Sequence, residues 1–376
     1  MKHDWKYIKL GDIISPAKVV RNGANKKFPV LSITMRDGIV FQSSRFKKSI
    51  ASVDTSDYKV VYNGQLVIAF PIDEGLIYTQ DIVDAGIMSP AYNVWNVDFL
   101  EIDRKFLVLY LHCPFSMAYY KSKLRGTTMR RRSMPKEDLL NMPLPVPSFS
   151  VQQSIVSELD RISELIRLKK EQLKDYDNLA QSIFYEMFGD EKYERRKLKD
   201  IVKVKSGQVS PLEDPYCDMV HVGPANIESN TGRLINLKTA KEENLISGKY
   251  LFDSSMVLYS KIRPNLNKVT IADFEGICSA DMYPLIPSKS IDKKFLLFIL
   301  KQKEFLSYAI ANSGRANIPK INREALLEYS TILPPLSLQL QFAERLALIE
   351  KQKEQISSII KDLETLLASR MQYWFD

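Results

Sequence analysis

Two stretches of the chain carry the same narrow apolar stripe 187 residues apart, and this doubling limits the possible folds more than any other feature. In the first stretch Ile155, Leu159, Ile162, Ile166, Leu173, Tyr176, Ala180, Ile183 and Met187 follow alternating steps of four and three, interrupted at Lys169. In the second, Phe342, Leu346, Ile349, Ile356, Ile360, Leu363, Leu367 and Trp374 keep the same spacing, interrupted at Lys353 and Arg370. A sustained 3.5-residue repeat lays one seam along a long helix, as in a coiled coil. Each helix should run about 39 residues, or roughly 58 Å. Such a helix cannot bury its stripe alone, so the two are expected to pair. If the blocks preceding them are equivalent, the pairing is antiparallel. Lys169 and Lys353 on the seam would then cost some stability while fixing register.

The rest of the chain repeats too. Lys9-Leu-Gly-Asp-Ile13 returns as Lys197-Leu-Lys-Asp-Ile201, and Asn63 to Ala69 as Ser254 to Ser260. Gly86 to Ser89 returns as Gly276 to Ser279, Phe106 to Leu111 as Phe295 to Leu300, and Leu144-Pro-Val-Pro147 as Leu333-Pro-Pro-Leu336. Five pairs in order, offset by 188 to 191, point to duplication. The expected division is a block at 1–149, a helix at 150–190, a second block at 191–337 and a second helix at 338–376. Strand-like runs such as Leu66-Val-Ile68 and Met256 to Tyr259, bounded by turn signals, precede helical stretches at 104–122 and 292–312. Each block therefore reads as α+β. Pro143, Pro145 and Pro147, then Pro334 and Pro335, are expected to stiffen the entry into each long helix.

With 376 residues the chain exceeds one ordinary domain, and its three cysteines (Cys113, Cys217, Cys278) lie far apart. That excludes a disulfide framework and a zinc knuckle, and the compartment reads as reducing cytoplasm. No apolar run is long enough to span a bilayer, and the N-terminus has no signal-peptide core. The net charge is +8, yet 150–190 carries −3 and 338–376 carries −1, so the two blocks together hold +12. Such blocks suit a polyanionic partner.

Catalytic motifs do not turn up. The string nearest a P-loop, Gly248-Lys249, has Glu243 where the first Gly belongs. The Asp/Asn-Pro-Pro-aromatic string of base-amino methyltransferases is missing, since Leu333 precedes Pro334-Pro335. Acid-x-Lys triplets such as Asp57-Tyr-Lys59, Asp103-Arg-Lys105 and Asp292-Lys-Lys294 occur no more often than chance supplies. His3, His112 and His221 are dispersed.

What remains is a binding surface. Residues 121–136 hold seven basic side chains and no acid, including Lys121, Lys123, Arg125, Arg130, Arg131 and Arg132, with Thr127 and Thr128 between them. A solvated loop looks similar, but the repeat counterpart is also Gly-turned, basic and amide-rich, with Ser313, Arg315, Asn317 and Lys320. Arg and Asn read guanine and adenine edges bidentately, while Ser, Thr and Lys suit phosphates. Arg315, in the matched turn, is expected to read a base, and Arg131 mainly a phosphate. A second candidate surface holds Lys261, Arg263, Asn265 and Lys268, matched weakly by Ala69-Phe-Pro71. A third precedes the central strands, with Thr34 and Arg36 in one block and Asn226 in the other. Ser89 and Tyr92 follow the Gly86 turn, as Ser279, Asp281 and Tyr283 follow Gly276. The two tyrosines either stack on bases or pack, packing being the ordinary outcome.

In this order the pieces resemble the specificity subunit of a type I restriction–modification system, over the whole chain. The characteristic strings are Trp5 to Ile13, the Gly126-Thr-Thr128 and Gly314-Arg-Ala-Asn317 turns, and the helix entry from Leu333 to Gln341. The second block departs by opening on Tyr193-Glu-Arg-Arg196 without a Trp and by Lys199 in place of Gly11. The Glu that usually precedes the helix-entry Gln is Gln152 in one copy and Leu340 in the other. The resemblance implies two target-recognition domains, each reading half of a bipartite target in double-stranded DNA. It implies paired helices acting as a spacer and as a platform for two methyltransferase (M) subunits, with restriction (R) subunits joining the complex. S-adenosylmethionine and ATP would be bound by those partners, and this chain would be non-catalytic. Two alternatives stay open: a coiled-coil scaffold without a DNA role, which leaves the charge of the blocks unexplained, and the specificity module of a fused restriction system.

Overall fold

Both stripes become 40-residue helices, Phe149–Phe188 and Leu336–Phe375, in a computed structural model. The structure describes residues 5–23, 28–35, 37–45, 54–70, 72–125, 134–189, 193–314 and 317–375. The chain divides into two units, Met1–Glu171 with Ser357–Asp376, and Gln172–Ile356, so each unit takes part of both helices. All apolar stripe positions are buried or half-buried, Ile155, Leu159 and Phe342 almost completely. In the first unit Glu158 accepts from Arg370 and Trp374, and Lys170 meets Glu364 at 2.7 Å. In the second, Lys353 meets Asp177 at 2.9 Å and the Phe184 and Phe342 rings lie 5.7 Å apart. Partner numbers fall as the first helix advances, so the pairing is antiparallel. Lys353 also reaches Glu350 at 3.0 Å. Burial works against its ammonium, but Asp177 and Glu350 hold its pKa above the usual lysine value. The seam charge is thus paired within its unit.

The duplication is visible in the sheets. A four-stranded antiparallel sheet in the first unit runs Ile14–Pro16, Asn93–Val97, Leu66–Ile68, Ile77–Thr79. Its counterpart runs Val202–Val204, Met282–Pro287, Val257–Ser260, Val269–Thr270 in the same order. The second unit adds a five-stranded sheet in which Val220–Val222 lies parallel to Gly276–Cys278. In the first unit the same order survives in pieces. Arg21 bridges Lys59, Lys59–Tyr62 pairs with Ala85–Met88, Val30 bridges Ile87 in parallel, and Leu31–Thr34 pairs with Gly38–Phe41.

A two-stranded ribbon closes each unit: Lys6–Lys9 with Pro143–Val146, and Arg195–Lys197 with Ser330–Ile332. Pro143 and Pro145 therefore lie in a strand, where a ribbon edge tolerates a missing N–H. Only Pro147 and the Pro334-Pro335 pair precede the long helices directly. Lys9 faces Pro143 as Lys197 faces Ser330, which fixes the local offset at 187. The proline strings matched by sequence are accordingly two residues out of register, and Pro147 answers to Pro334.

At the same offset sits a pair of buried glutamines. Gln152 accepts from the Asp103 backbone N–H at 2.7 Å and donates to the carbonyls of Glu101 and Pro147, both at 2.9 Å. Gln339 accepts from the Asp292 N–H at 2.9 Å and donates to Ser290 and Pro334, at 3.0 and 2.7 Å. Both are fully buried. The Asp103 and Asp292 side chains cap the helices Arg104–Leu111 and Lys293–Lys301. Each glutamine thus ties a long helix to the cap of a core helix. Phe375 packs on Phe106 and Phe188 on Phe295, with centroids 5.6 and 5.3 Å apart, anchoring the other helix end in each unit. The matched glutamines are 152 and 339, so the expected entry pair at Gln153 and Gln341 is corrected by one and two residues.

Candidate nucleic-acid interface

In the second unit the chain leaves strand Val257–Ser260 into a loop closed by Ser260 N–H donating to Lys268 O at 3.0 Å. Arg263 and Asn267 both take left-handed backbone, φ 47° and 48°, on either side of the turn Pro264–Leu266. Asn tolerates that conformation, while Arg does so at a cost of about 1–2 kcal/mol. The loop is held on two sides. Arg263 N–H donates to Pro319 O at 2.7 Å, Ile321 N–H to Lys261 O at 3.0 Å, and Lys261 N–H to Asp281 O at 3.0 Å. Segments that are separate candidates in the sequence (260–268, 279–281 and 317–320) therefore share one place.

Within that cluster Arg263, Asn265 and Asn317 are exposed, and Lys261, Lys268, Ser279, Asp281, Ser313 and Lys320 are half-buried. Several have tasks inside the chain. Lys268 donates to Pro224 O at 2.6 Å, Ser313 to Ile310 O at 2.7 Å, and Ser279 accepts from the Asp281 N–H at 3.1 Å. Lys261 donates to Ala280 O, lies 3.8 Å from Asp281, and sits 5.4 Å from the Tyr283 ring centroid. Asn226 is buried and builds its own turn, accepting from Gly223 N–H at 2.9 Å and donating to Asn236 O at 3.1 Å.

The first unit repeats some of these bonds. Ser89 accepts from the Ala91 N–H at 3.3 Å, as Ser279 does from Asp281. Thr34 is buried, with its hydroxyl accepting from the Asp37 N–H at 2.9 Å. Tyr92 packs against the Leu31–Ile33–Met88 core, and burial raises its phenol pKa. The interior thus takes Thr34, Asn226 and most of Tyr92, leaving them turn and packing roles. Lys121 is exposed, whereas Lys123 and Arg125 each lie 3.6 Å from Asp138. Asp138 falls two residues past the acid-free window. Exposed pairs of this kind contribute little and leave both cations able to exchange partners. Arg36, Thr127, Thr128, Arg130, Arg131, Arg132 and Arg315 lie outside the described residues.

Sequence reasoning counted Lys136 in the basic run 121–136 without singling it out, and passed over Arg323. Lys136 Nζ lies 5.5 Å from the Trp95 ring centroid, beside a cavity of about 180 Å³ that also touches Phe70, Asn93 and Met134. Arg323 is exposed and donates to Lys205 O at 3.5 Å. The 187-residue offset of the two helix stripes, carried back to 136 and 323, was the signal available.

Metal and catalytic chemistry find little footing among the described residues. Asp214, Cys217 and Asp218 bring ligand atoms within 4.8 Å, but the Cys217 thiol donates to Asp214 at 3.0 Å and that bond raises its pKa, disfavouring the thiolate. Burial pushes the Cys278 thiol up to about 12. His112 bonds the carbonyls of Val108 and Gly75, and His221 bonds Glu243 at 2.8 Å. The acids of the Asp-x-Lys triplets at 103 and 292 are helix caps.

A family model described as type I restriction modification DNA specificity domain matches twice, at residues 2–175 and 190–365. The EcoDI specificity subunit of a type I restriction enzyme from Escherichia coli is 38% identical over 149 residues, 40% of this chain. That match spans 33% of the relative's own length. A chain solved in a study of assembly and conformational transition of the type I R-M system shares the fold, with a TM-score of 0.60. It is 18% identical, over 99% of this chain and 97% of that one. The type I system S subunit from M. genitalium gives a TM-score of 0.52 at 13% identity, over 100% of this chain and 97% of that one. At such identities the likeness is one of fold.

Proposed function

The chain belongs to the type I restriction–modification DNA specificity family, and on that premise we propose that it is the subunit that reads a bipartite sequence in double-stranded DNA. The observation that carries the proposal is the doubling: both family matches fall on copies of one scaffold, and the copies differ in the sequence of their basic stretches, 121–136 in one and 312–320 in the other. Matched scaffolds with unlike surfaces suit a reader of two different half-sites. Loops rich in Arg, Lys and Asn offer the donors that base edges and phosphates accept.

In this reading the chain is non-catalytic and directs two methyltransferase subunits, with restriction subunits joining the same complex. S-adenosylmethionine and ATP bind those partners. The setting is the cytoplasm, in keeping with the finding that no described helix is long and apolar enough to cross a membrane. Methylome sequencing of the source cell with and without this gene tests the proposal. One split motif should vanish on deletion and return on complementation, and an unchanged methylome, or loss of an uninterrupted motif, would count against it. A gel shift of the purified chain, with and without its methyltransferase, tests binding directly.

A further inference from the structure

Cations crowd one place in the second unit with little to balance them. The Lys261 side chain is 12% exposed, and burial first, then Lys320, push its ammonium below the usual lysine value. Arg323 acts in the same direction, while Asp281 pulls the other way. Asp281 is the one carboxylate that acts on Lys261 or Tyr283 among the described residues. The cluster is built rather than incidental. Ile262 bridges Lys320, the Tyr283 hydroxyl donates to Ile321 O at 3.3 Å, and the strained Arg263 backbone is held by Pro319. Like charges gathered by such bonds repel one another in the free protein, and an anion would relieve the repulsion.

The first unit has a counterpart. Tyr119 donates to Asp138 O and Tyr308 to Ala325 O, both at 2.8 Å, so 138 answers to 325 and Lys136 to Arg323. Lys136 stands 5.5 Å from Trp95, as Lys261 stands 5.4 Å from Tyr283, and both rings belong to the matched strands Asn93–Val97 and Met282–Pro287.

We propose that Lys320 and Arg323, gathered with the half-buried Lys261 at the Tyr283 ring, seat a backbone phosphate of DNA, and that Lys136 takes the equivalent phosphate at the other half-site. The inference rests on the DNA-recognition reading. The three cations present donors and positive charge, which suit a phosphate, while the exposed amides of Asn265 and Asn317 in the same cluster suit base edges beside it.

The test uses the full chain, alone and with its methyltransferase, and duplex DNA of arbitrary sequence beside duplex carrying the split motif. Affinity is measured against salt concentration. Arg323→Gln and Lys320→Gln should each weaken both duplexes alike, by about tenfold at low salt, and lower the salt slope by about one. Lys136→Gln should do the same, and Arg323→Lys should restore most of the loss. Thermal unfolding should match wild type, because Arg323 has one long surface bond to lose. Unchanged affinity and slope in variants of a wild-type chain that binds DNA would overturn the seat, as would relaxed preference at one base position. A wild-type chain, with its partner, that binds neither duplex would overturn the DNA reading itself.

Discussion

Replacing Gln152 or Gln339 by leucine tests the account of how the long helices are attached. Gln152→Leu keeps the site apolar and similar in size but strands three backbone groups: the Asp103 N–H and the carbonyls of Glu101 and Pro147. A stranded buried group costs about 1–3 kcal/mol, and a partly buried one less because water reaches it. Only the Pro147 bond is fully buried, which gives about 2–4 kcal/mol in total. Gln152→Glu should show a pH dependence of known sign. Its carboxylate keeps the Asp103 N–H but faces two carbonyl oxygens, so the folded-state pKa is raised above the unfolded one. The protonated side chain can still donate, and that stability is lost as pH rises through the folded pKa. The variant should therefore fall further below wild type at pH 7 than at pH 4.

The three tryptophans supply the assay, since Trp5, Trp95 and Trp374 all lie in the first unit. Urea unfolding followed by tryptophan fluorescence reports that unit, and far-UV circular dichroism reports both. Gln152→Leu should lower the tryptophan midpoint by about 1 M, for a slope of about 2–3 kcal/mol/M. Gln339→Leu should move the tryptophan midpoint less and the dichroism midpoint more. Hydrogen exchange should show lost protection at the Asp103 amide in one variant and at Asp292 in the other. A tryptophan midpoint unmoved by Gln152→Leu, or moved equally by Gln339→Leu, would refute the assignment of each glutamine to its own unit.

Removing the caps, by Asp103→Ala or Asp292→Ala, should cost about 1 kcal/mol each, read from the same two transitions. Tyr119→Phe and Tyr308→Phe each lose one bond to a backbone carbonyl and should cost about 0.5–1.5 kcal/mol in urea unfolding. Lys353→Met should leave the dichroism midpoint within about 1 kcal/mol of wild type, because its partners Asp177 and Glu350 are exposed and stay hydrated once the cation is gone. Burial lowers the pKa of His221 despite Glu243, so the unfolded chain binds the extra proton first. Stability from this residue is present above the ordinary histidine pKa and lost as pH falls below it. His221→Gln should flatten the dichroism midpoint between pH 7 and pH 5 relative to wild type.

The stripe and the doubling were legible because periodicity survives averaging over many residues. A single polar residue carries no such redundancy. Gln152 stands next to Gln153, and nothing local says which one turns inward, since that depends on where the Asp103 amide comes to rest. Thr34 and Asn226 look like exposed donors in one dimension, yet each closes a turn that the strands around it then bury. Prolines before a long helix suggest helix-entry devices, but Pro143 and Pro145 lie in a ribbon whose partner strand is more than 130 residues away. Asp138 lies past the basic run in sequence and meets Lys123 and Arg125 through space, from the helix Lys136–Leu140. The proline slip of two residues has the same origin, because hydrogen-bond register and not similarity of letters decides equivalence.

Where the two copies agree and where they differ follows from where exchange is expensive. The glutamine clamps, the tyrosine bonds to 138 and 325, and the phenylalanines at 188 and 375 all lie in the interior, where a lost partner strands a polar group or opens a cavity. Those positions keep their chemistry, the glutamines and phenylalanines at an offset of 187 and the tyrosines, 119 and 308, at 189. Towards the surface Lys136 answers to Arg323 and the Phe70 loop to the Lys261 loop, changes of shape and charge that solvent tolerates, and on the strands beside them Asn93 answers to the buried Tyr283. A chain that holds its helices through buried backbone bonds can therefore alter one loop cluster without disturbing the other. Two copies of one scaffold are then enough to present two different surfaces, and neither surface carries the stability of the unit beneath it.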